Sequence, residues 1–328
     1  MGRRHPGLPR TVRTILRKRD LLAMLAGIDA DRDAVNKILA MENEFRRRVA
    51  LHIGGLPLED AVFQKFSTNP FVLLIHAMHK GYSRVSQIEA DILPAKLFTS
   101  METSAGKMVE AVMLEQYGWT NVISNMHTVN SAIDGKKLAG DTVKIATLKS
   151  GPKCLNDEMS ENFADAIIAH STSWAAEAGV KKVDFTFGVL YGTHSMSMKK
   201  DWHILRNLED KLPQGSITVS PHGRYDCAFT RDGIEATASV RIGKAWWDYM
   251  GGPQCFVSLC AAMIRACVQP GVTGGESDAV GHAYTIQDLG QITSLASVPQ
   301  DYNVSILQRG QLQWMFFIAR HFCDQLVD

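Results

Sequence analysis

Three charged residues, Glu110, Asp134 and Lys149, could form one site if the chain folds as its patterns indicate. Two carboxylates can bind a divalent cation, and an ammonium beside them can position an attacking water. Taken alone, each residue also has an ordinary explanation: a buried ion pair, a turn cap and a strand end that reaches water. The elements that carry the three residues decide whether they meet.

Lys149 ends the segment VKIATLK, which is rich in β-branched residues and predicts a strand. Alternation along that strand places three residues on the face of Lys149, namely Val143, Ile145 and Thr147. The turn-forming sequence SGP follows the lysine directly. The preceding segment SAIDGKKLAGD contains Asp134 and is predicted to pair with the strand as a hairpin. Asp134 and Lys149 are therefore expected at adjacent strand ends.

Glu110 belongs to the segment TSAGKMVEAVMLEQYGW, which predicts a helix with Thr103 or Ser104 as its cap. Steps of 100° per residue place Glu110 between Met113 and Leu114, within an apolar sector. An ionised glutamate that faces a core is costly unless it is paired or binds a metal. Both a buried ion pair and a metal site remain open for this residue.

The remaining patterns indicate an α/β fold. Residues 1–100 favour helices and are predicted to form a helical N-terminal region with a basic arm, and residues 101–328 are predicted to form the core. Within the core, Asn156 and Gly179 bound a predicted helix. The nearly continuous apolar segment VDFTFGVLYG predicts a central strand covered on both faces. The expected architecture is a central sheet flanked by helices.

The composition excludes few functions. The chain has 328 residues, 45% of them hydrophobic, and a formal net charge of +1. Residues 1–19 contain no acidic residue, and this arm is either a solvated tail or a phosphate contact. The six cysteines show no CxxC spacing, and no apolar run is long enough to cross a membrane. We expect a soluble, cytoplasmic protein with no membrane partner.

The order of these segments resembles the PD-(D/E)xK nuclease core: a helix with Glu110, a strand with Asp134, a strand that ends in Lys149, and a helix. The stretches LKSGP, FTFGVLYG and GKAWWDYMGG are similar to those of Type II restriction endonucleases within that superfamily. The similarity covers residues 69 to 252. It implies a restriction-endonuclease-like core with a central mixed sheet.

The resemblance also implies an activity: Mg²⁺-dependent, sequence-specific cleavage of double-stranded DNA that leaves 5′-phosphate ends. Asp134 matches the family's metal-binding aspartate, and Lys149 matches the lysine that positions the water. The backbone carbonyl of Leu148 matches a further metal ligand. A homodimer, a cognate DNA methyltransferase and the bacterial cytoplasm are implied as well.

The sequence departs from the family pattern at Thr147, where the family carries a second acidic residue. Some restriction enzymes of this superfamily recruit a glutamate from the following helix, which makes Glu161 the candidate metal ligand. Glu161, however, projects opposite the apolar stripe of its helix, as a solvent-facing residue would. Glu110, Asp157 or Glu158 could supply the missing charge instead.

Two alternatives to a restriction enzyme remain open: a structure-specific repair or recombination nuclease, and a DNA-binding module that has lost catalysis. A zinc hydrolase is disfavoured because the histidines show no HExxH spacing. Four arginines follow the central strand, where base-reading residues could lie, although each by itself is more often a contact to phosphate or solvent: Arg206, Arg224, Arg231 and Arg241. The glycine-rich loop Gln269–Tyr284 is either a surface loop or a DNA contact.

Overall fold

The computed structural model describes residues 13–55, 70–81, 84, 86–122, 133–197, 200–213, 217–219, 225–268 and 289–328. Three sequence predictions lie outside these ranges: the first twelve residues of the basic arm, the role of Arg224 and the loop Gln269–Tyr284. In the part of the chain that is described, no helix is long and apolar enough to cross a membrane.

The central element is a mixed sheet, to which the described residues contribute seven strands. The strands are β2 (Thr120–Asn121), β3 (Gly135–Ala139), β4 (Thr142–Lys149), β5 (Lys182–Val189), β6 (Ile217–Val219), β7 (Tyr225–Arg231) and β8 (Ile234–Ile242). Their spatial order is β2-β3-β4-β5-β8-β7-β6. The strands β4, β5 and β8 run parallel, and the outer pairs are antiparallel.

Helices surround the sheet and confirm the predicted α/β class. They are α1 (Lys18–Asp29), α2 (Arg32–Gly54), α3 (Pro70–Lys80), α4 (Ser86–Gln116), α5 (Asp157–Ala178), α6 (Lys200–Lys211), α7 (Lys244–Gly251), α8 (Cys255–Cys267), α9 (Leu289–Thr293), α10 (Gln311–Ala319) and a 3₁₀ helix at Arg320–Phe322. A separate parallel pair joins the two ends of the described chain, β1 (Ile15–Arg17) and β9 (Gln325–Val327).

Alternation along β4 sends its side chains into two different apolar clusters. Val143 and Ile145 belong to the cluster under α5 and α6. Ala146 and Leu148 belong to the cluster formed with α1, α2, α4, α7, α8 and α10. This division is the one predicted from the period of two. Lys149 continues the first face, so its side chain leaves the sheet on the side of α5.

Two further predictions about the core are confirmed. The strand β5 lies between β4 and β8, and its residues from Phe185 to Val189 are buried. The helix α5 begins after Asn156, whose side chain accepts a hydrogen bond of 2.7 Å from the Met159 amide. Gly179 ends this helix in the left-handed conformation, with φ of 69°. The sharp stop lets the chain re-enter the sheet as β5.

The predicted caps Thr103 and Ser104 are wrong. The helix α4 runs without interruption from Ser86 to Gln116, so both residues lie in its interior. The Thr103 hydroxyl donates to the Thr99 carbonyl at 3.1 Å, a bond that threonine forms within a helix. A hydroxyl residue ahead of an apolar run therefore did not mark a helix start here. The continuous helix also spans residue 100, the predicted boundary between the two regions.

The helices of the N-terminal region share their core with the rest of the chain. Leu25 and Ile38 of α1 and α2 lie in the same apolar cluster as Trp246 and Phe316. A largely buried ion pair of 2.6 Å links Glu42 of α2 to Arg265 of α8, which adds a directional contact to the apolar packing. The helices α1 and α2 are thus packed onto the core.

Gly188 in β5 allows the sheet to approach the helix α7, and its replacement tests that packing. A methyl group at Gly188 would lie 2.8 Å from Leu148 Cδ2 and 2.8 Å from the Trp246 ring. We expect Gly188→Ala to lower the free energy of unfolding by about 1–3 kcal/mol, because overpacking forces neighbours aside. Urea denaturation measures the change. Gly290→Ala is the control, since its methyl group meets no atom within 4 Å. Equal losses in both variants would contradict the prediction.

Candidate active site

Four of the predicted site residues line one pocket at the edge of the sheet where β4 ends. These residues are Glu110, Asp134, Leu148 and Lys149. The pocket is open to solvent and has a volume of about 780 Å³. Because β4 and β5 are parallel, their carboxyl ends meet at this edge, which is where α/β proteins commonly bind ligands.

Asp134 is held in place by two hydrogen bonds to β4. Its amide donates to the Ala146 carbonyl at 2.8 Å. Its carboxylate oxygen Oδ2 accepts a hydrogen bond of 2.6 Å from the Leu148 amide. Asp134 immediately precedes β3, so its carboxylate replaces a backbone partner for the Leu148 amide just beyond the end of the β3–β4 pairing. The carboxylate is therefore fixed relative to Leu148 and Lys149.

The Leu148 carbonyl points towards the same side of β4 as Asp134. The amide and carbonyl of one strand residue face the same neighbouring strand, and the Leu148 amide faces Asp134. The Lys149 carbonyl faces the opposite side, where it accepts a hydrogen bond of 2.9 Å from the Leu190 amide. A backbone oxygen and a carboxylate therefore converge on the rim of the pocket.

Glu110 reaches the pocket from α4, which passes close to the turn after β4. A methyl group at Gly106 would lie only 3.3 Å from the Ser150 Cβ and still nearer to its hydroxyl. The absence of a side chain at Gly106 therefore permits this approach. Glu110 lies one helical turn further along and is half-buried beside the buried residues Met113 and Leu114. The predicted placement of Glu110 in an apolar sector is confirmed.

The two carboxyl groups are short of positive charge. Burial, and then the neighbouring Asp134, raise the pKa of Glu110 to about 7, although Lys149 and Lys107 act in the opposite direction. Burial also raises the pKa of Asp134, against the effects of the Leu148 amide and Lys149. The two lysines do not offset the burial of these two carboxyl groups. A cation bound between them would remove the imbalance.

This donor set fits magnesium better than a metal that needs a closed cage of side chains. The residues described in the structure contain no group of three or more His, Cys, Asp or Glu side chains that could hold a metal. Magnesium usually retains several waters and binds through one or two carboxylates. Asp134, Glu110 and the Leu148 carbonyl match that pattern.

Lys149 is half-buried at the mouth of the pocket. Its ammonium lies 5.9 Å from the centre of the Phe163 ring of α5. It also influences the pKa of both carboxyl groups. The charge of the lysine therefore acts on the pocket, while its aliphatic stem lies near the Phe163 ring. This is expected for the last residue of a strand that faces a core.

The alternative ligands from α5 are not brought to the pocket. Glu161 has a side chain that is 62% exposed, and it lies 3.5 Å from Lys211. Asp157 lies 3.1 Å from His203, and Glu158 is exposed. None of the three carboxylates lines the pocket. Of the predicted ligands, Glu110 is therefore the second carboxylate that the fold places there. Glu102 of α4, which was not predicted, also lines the pocket.

Thr147 is 2% exposed and lies on the face of β4 that packs under α5. A carboxylate at this position would be surrounded by that apolar cluster unless a cation held it. A threonine side chain can be buried here with a smaller loss of free energy than a carboxylate. The position at which the family pattern has an acidic residue is therefore a buried, closely packed position in this protein.

The sequence reasoning missed the residues that form the opposite wall and the floor of the pocket. The wall includes Tyr191, which lies two residues after β5 as Gly151 lies two residues after β4. The parallel pairing of the two strands would have indicated this neighbour. The apolar floor consists of Leu259, Cys260, Met263, Ile318 and Phe322. No local signal marks these distant residues.

The described arginine candidates lie away from the pocket lining. Arg231 donates to the Ile168 carbonyl at 2.7 Å. Arg241 lies with its guanidinium carbon 4.0 Å from the centre of the Tyr249 ring. Arg206 is half-buried on α6. Contact of these residues with DNA stays a prediction.

Comparison of the sequence with protein-family models and with curated proteins found no match. The resemblance to nucleases therefore rests on the residues of this pocket and on the order of the elements that carry them.

Replacement of Glu110 tests the charge imbalance directly. Its carboxyl group keeps a proton up to about pH 7 in the folded protein, against 4.5 as the ordinary value. Its contribution to stability is therefore full below pH 4.5 and is lost as the pH rises through 7. In EDTA at pH 8 we expect Glu110→Gln to be more stable than the wild type by about 1–3 kcal/mol.

The difference should vanish at pH 4, and thermal denaturation at both pH values measures it. Glu115→Gln, an exposed change on the same helix, is the control and should change little at either pH. A wild type as stable as Glu110→Gln at pH 8 would show that the carboxylate is not strained by its surroundings.

Proposed function

We propose that the protein is a Mg²⁺-dependent endonuclease of the Type II restriction enzyme kind, which hydrolyses phosphodiester bonds in double-stranded DNA. The observation that carries the proposal is the meeting of Glu110, Asp134, the Leu148 carbonyl and Lys149 in one pocket. These groups come from three separate segments of the chain. Their types match a site that binds a divalent cation next to a phosphate.

The topology supports the same proposal. A helix with Glu110, a strand preceded by Asp134, a strand that ends in Lys149, and a helix follow one another as α4, β3, β4 and α5. The strands β2, β3 and β4 form an antiparallel meander, and α5 then leads to the parallel strand β5. This is the order on which the resemblance to the PD-(D/E)xK core was based.

Asp134, Glu110 and the Leu148 carbonyl would hold the metal. A bound Mg²⁺ supplies a water of lowered pKa and neutralises charge on the attacked phosphate. Asp134 can serve as a rigid ligand because the Leu148 amide fixes its carboxylate. Glu110 adds the second negative charge from α4.

Lys149 acts on the substrate. Its ammonium can donate to a phosphate oxygen and hold the attacking water in line with the bond that breaks. The water oxygen forms a bond to phosphorus and gives up a proton to solvent. The bond from phosphorus to the 3′ oxygen breaks, and that oxygen takes a proton. The products are a 5′-phosphate and a 3′-hydroxyl.

The proposal extends to the partners that such enzymes have. A homodimer would place one pocket on each strand of a palindromic site. A DNA methyltransferase in the same bacterial cytoplasm would protect the host's own sites.

The metal ligands can be tested without any DNA. We expect Mg²⁺ at ten times its dissociation constant to stabilise the wild type by about 1.4 kcal/mol, because it binds only the folded state. The stabilisation should disappear in Asp134→Asn and shrink in Glu110→Gln. Thermal shift at pH 8 with and without Mg²⁺ measures it.

Glu161→Gln is the matched control for that experiment, since Glu161 pairs with Lys211 outside the pocket. It should respond to Mg²⁺ as the wild type does. Loss of the response in Glu161→Gln alone would identify α5 as the source of the ligand.

The activity itself is tested on plasmid and phage DNA. We expect discrete bands that require Mg²⁺, disappear with EDTA and weaken about 10²–10³-fold in Lys149→Ala, because a preorganised charge at the phosphate is lost. The exposed Lys153→Ala is the control and should cut at the wild-type rate.

Other products would favour other functions. A smear, or cuts confined to junctions, would indicate a structure-specific nuclease. Binding of several DNA substrates without any cleavage would indicate a binding module, and Thr147 would then be the residue to explain it.

A further inference from the structure

Tyr191 is an exposed aromatic residue at the mouth of the candidate active site. Its side chain is 45% exposed, although it lines the pocket together with Lys149 and Ser150. It follows the parallel neighbour of the strand that ends in Lys149. A water-exposed ring next to a phosphate-binding group is the arrangement that proteins use to stack a nucleobase.

The Tyr191 ring contacts one glycine, and a second glycine joins the two turns beside the ring. A methyl group at Gly151 would lie 2.7 Å from the Tyr191 hydroxyl oxygen and 3.1 Å from Cζ, so the ring lies directly on the Gly151 backbone. Gly192 follows with φ of +103°, and a methyl group there would lie 2.8 Å from Pro152. The turns after β4 and β5 therefore interlock, and the ring is preorganised.

The floor of the pocket is apolar, and a phosphate by itself would leave it uncovered. Its residues are Leu259, Cys260, Met263, Ile318 and Phe322. A phosphate with its metal and waters is entirely polar and gains nothing from such a surface. The volume of about 780 Å³ leaves room for a larger group beside it. A flat, weakly polar ring that is covalently attached to the phosphate fits this surface best.

We propose that the pocket takes a nucleobase that has left the base stack next to the attacked phosphate, with Tyr191 as its stacking platform. Bases of an intact duplex stay stacked and cannot reach the floor. The substrate class is therefore double-stranded DNA in which one nucleotide beside the cut is extruded from the stack when the protein binds. This proposal rests on the proposed function, because it is the phosphate site at Lys149 that brings the strand to Tyr191.

The test compares two 20-base-pair duplexes of the same mixed sequence, one fully paired and one with a single central mismatch. Binding is measured by fluorescence anisotropy in EDTA and 150 mM salt, so that it needs no metal. The wild type should bind the mismatched duplex more tightly, because a mismatched base costs less to unstack. Tyr191→Ala should weaken binding of the mismatched duplex about 5- to 100-fold, and binding of the paired duplex far less.

Three variants separate stacking from other effects. Tyr191→Phe keeps the ring and should keep the preference for the mismatch. Gly151→Ala displaces the ring without removing it and should lower the preference. Trp314→Ala, which removes an exposed aromatic side chain outside the pocket lining, should leave the preference unchanged. Loss of the preference in Tyr191→Phe or in Trp314→Ala would count against a stacking role.

Equal affinity of the wild type for the two duplexes, or a preference that survives in Tyr191→Ala, would overturn the inference. Mg²⁺-dependent cleavage that requires Lys149 tests the proposed function separately. Cleavage without any mismatch preference would refute the base pocket and support the proposed nuclease. A Tyr191-dependent preference without cleavage would support the base pocket and refute the proposed nuclease. If the protein shows no binding and no cleavage, both proposals are refuted.

Discussion

The hydrogen bond from the Leu148 amide to the Asp134 carboxylate is the contact on which the candidate active site depends. It joins the start of β3 to the end of β4 at 2.6 Å, at the point where the regular strand pairing stops. It fixes a carboxylate beside a strand whose next residue is Lys149. It also fixes the side of β4 towards which the Leu148 carbonyl points. Three of the four groups in the site thus share one local constraint.

The fourth group, Glu110, is brought in by packing. The helix α4 lies against the turn after β4 because Gly106 has no side chain to separate them. Burial beside Asp134 then makes the ionised form of Glu110 unfavourable, and its pKa rises to about 7. Residues that destabilise a folded chain in this way are common at functional sites, where a ligand supplies the missing charge. The same glutamate therefore links the stability of the fold to its chemistry.

Close contacts at glycines shape the rest of the pocket. Gly151 and Gly192 join the turns after β4 and β5, and their lack of side chains sets the position of Tyr191. The apolar floor comes from α8, α10 and the 3₁₀ helix, elements that pack on the sheet from one side. A polar rim built on strand ends thus surrounds a floor built by helix packing. The pocket can hold both a charged and an apolar part of one ligand.

The sequence by itself determined the local parts of this protein. The period of two in VKIATLK placed Thr147 and Lys149 on one face, and the helical period placed Glu110 against the core. Asn156 and Gly179 marked the ends of α5, because capping chemistry is local. The segment before β4 formed the predicted hairpin, since it needs only a turn and two matched strands.

Only the tertiary structure decided which of these parts meet. In the folded chain, Glu161 pairs with Lys211, whereas Glu110 lies in the pocket. The reason is that the path of α4 is set by packing between residues far apart in the sequence. The tertiary structure continued α4 through Thr103, where a local rule predicted a cap. It placed Tyr191 and the distant floor residues beside Lys149, which no spacing in the sequence expresses. Local patterns depend on neighbouring residues, whereas a pocket depends on contacts between segments that the chain connects only through the whole fold.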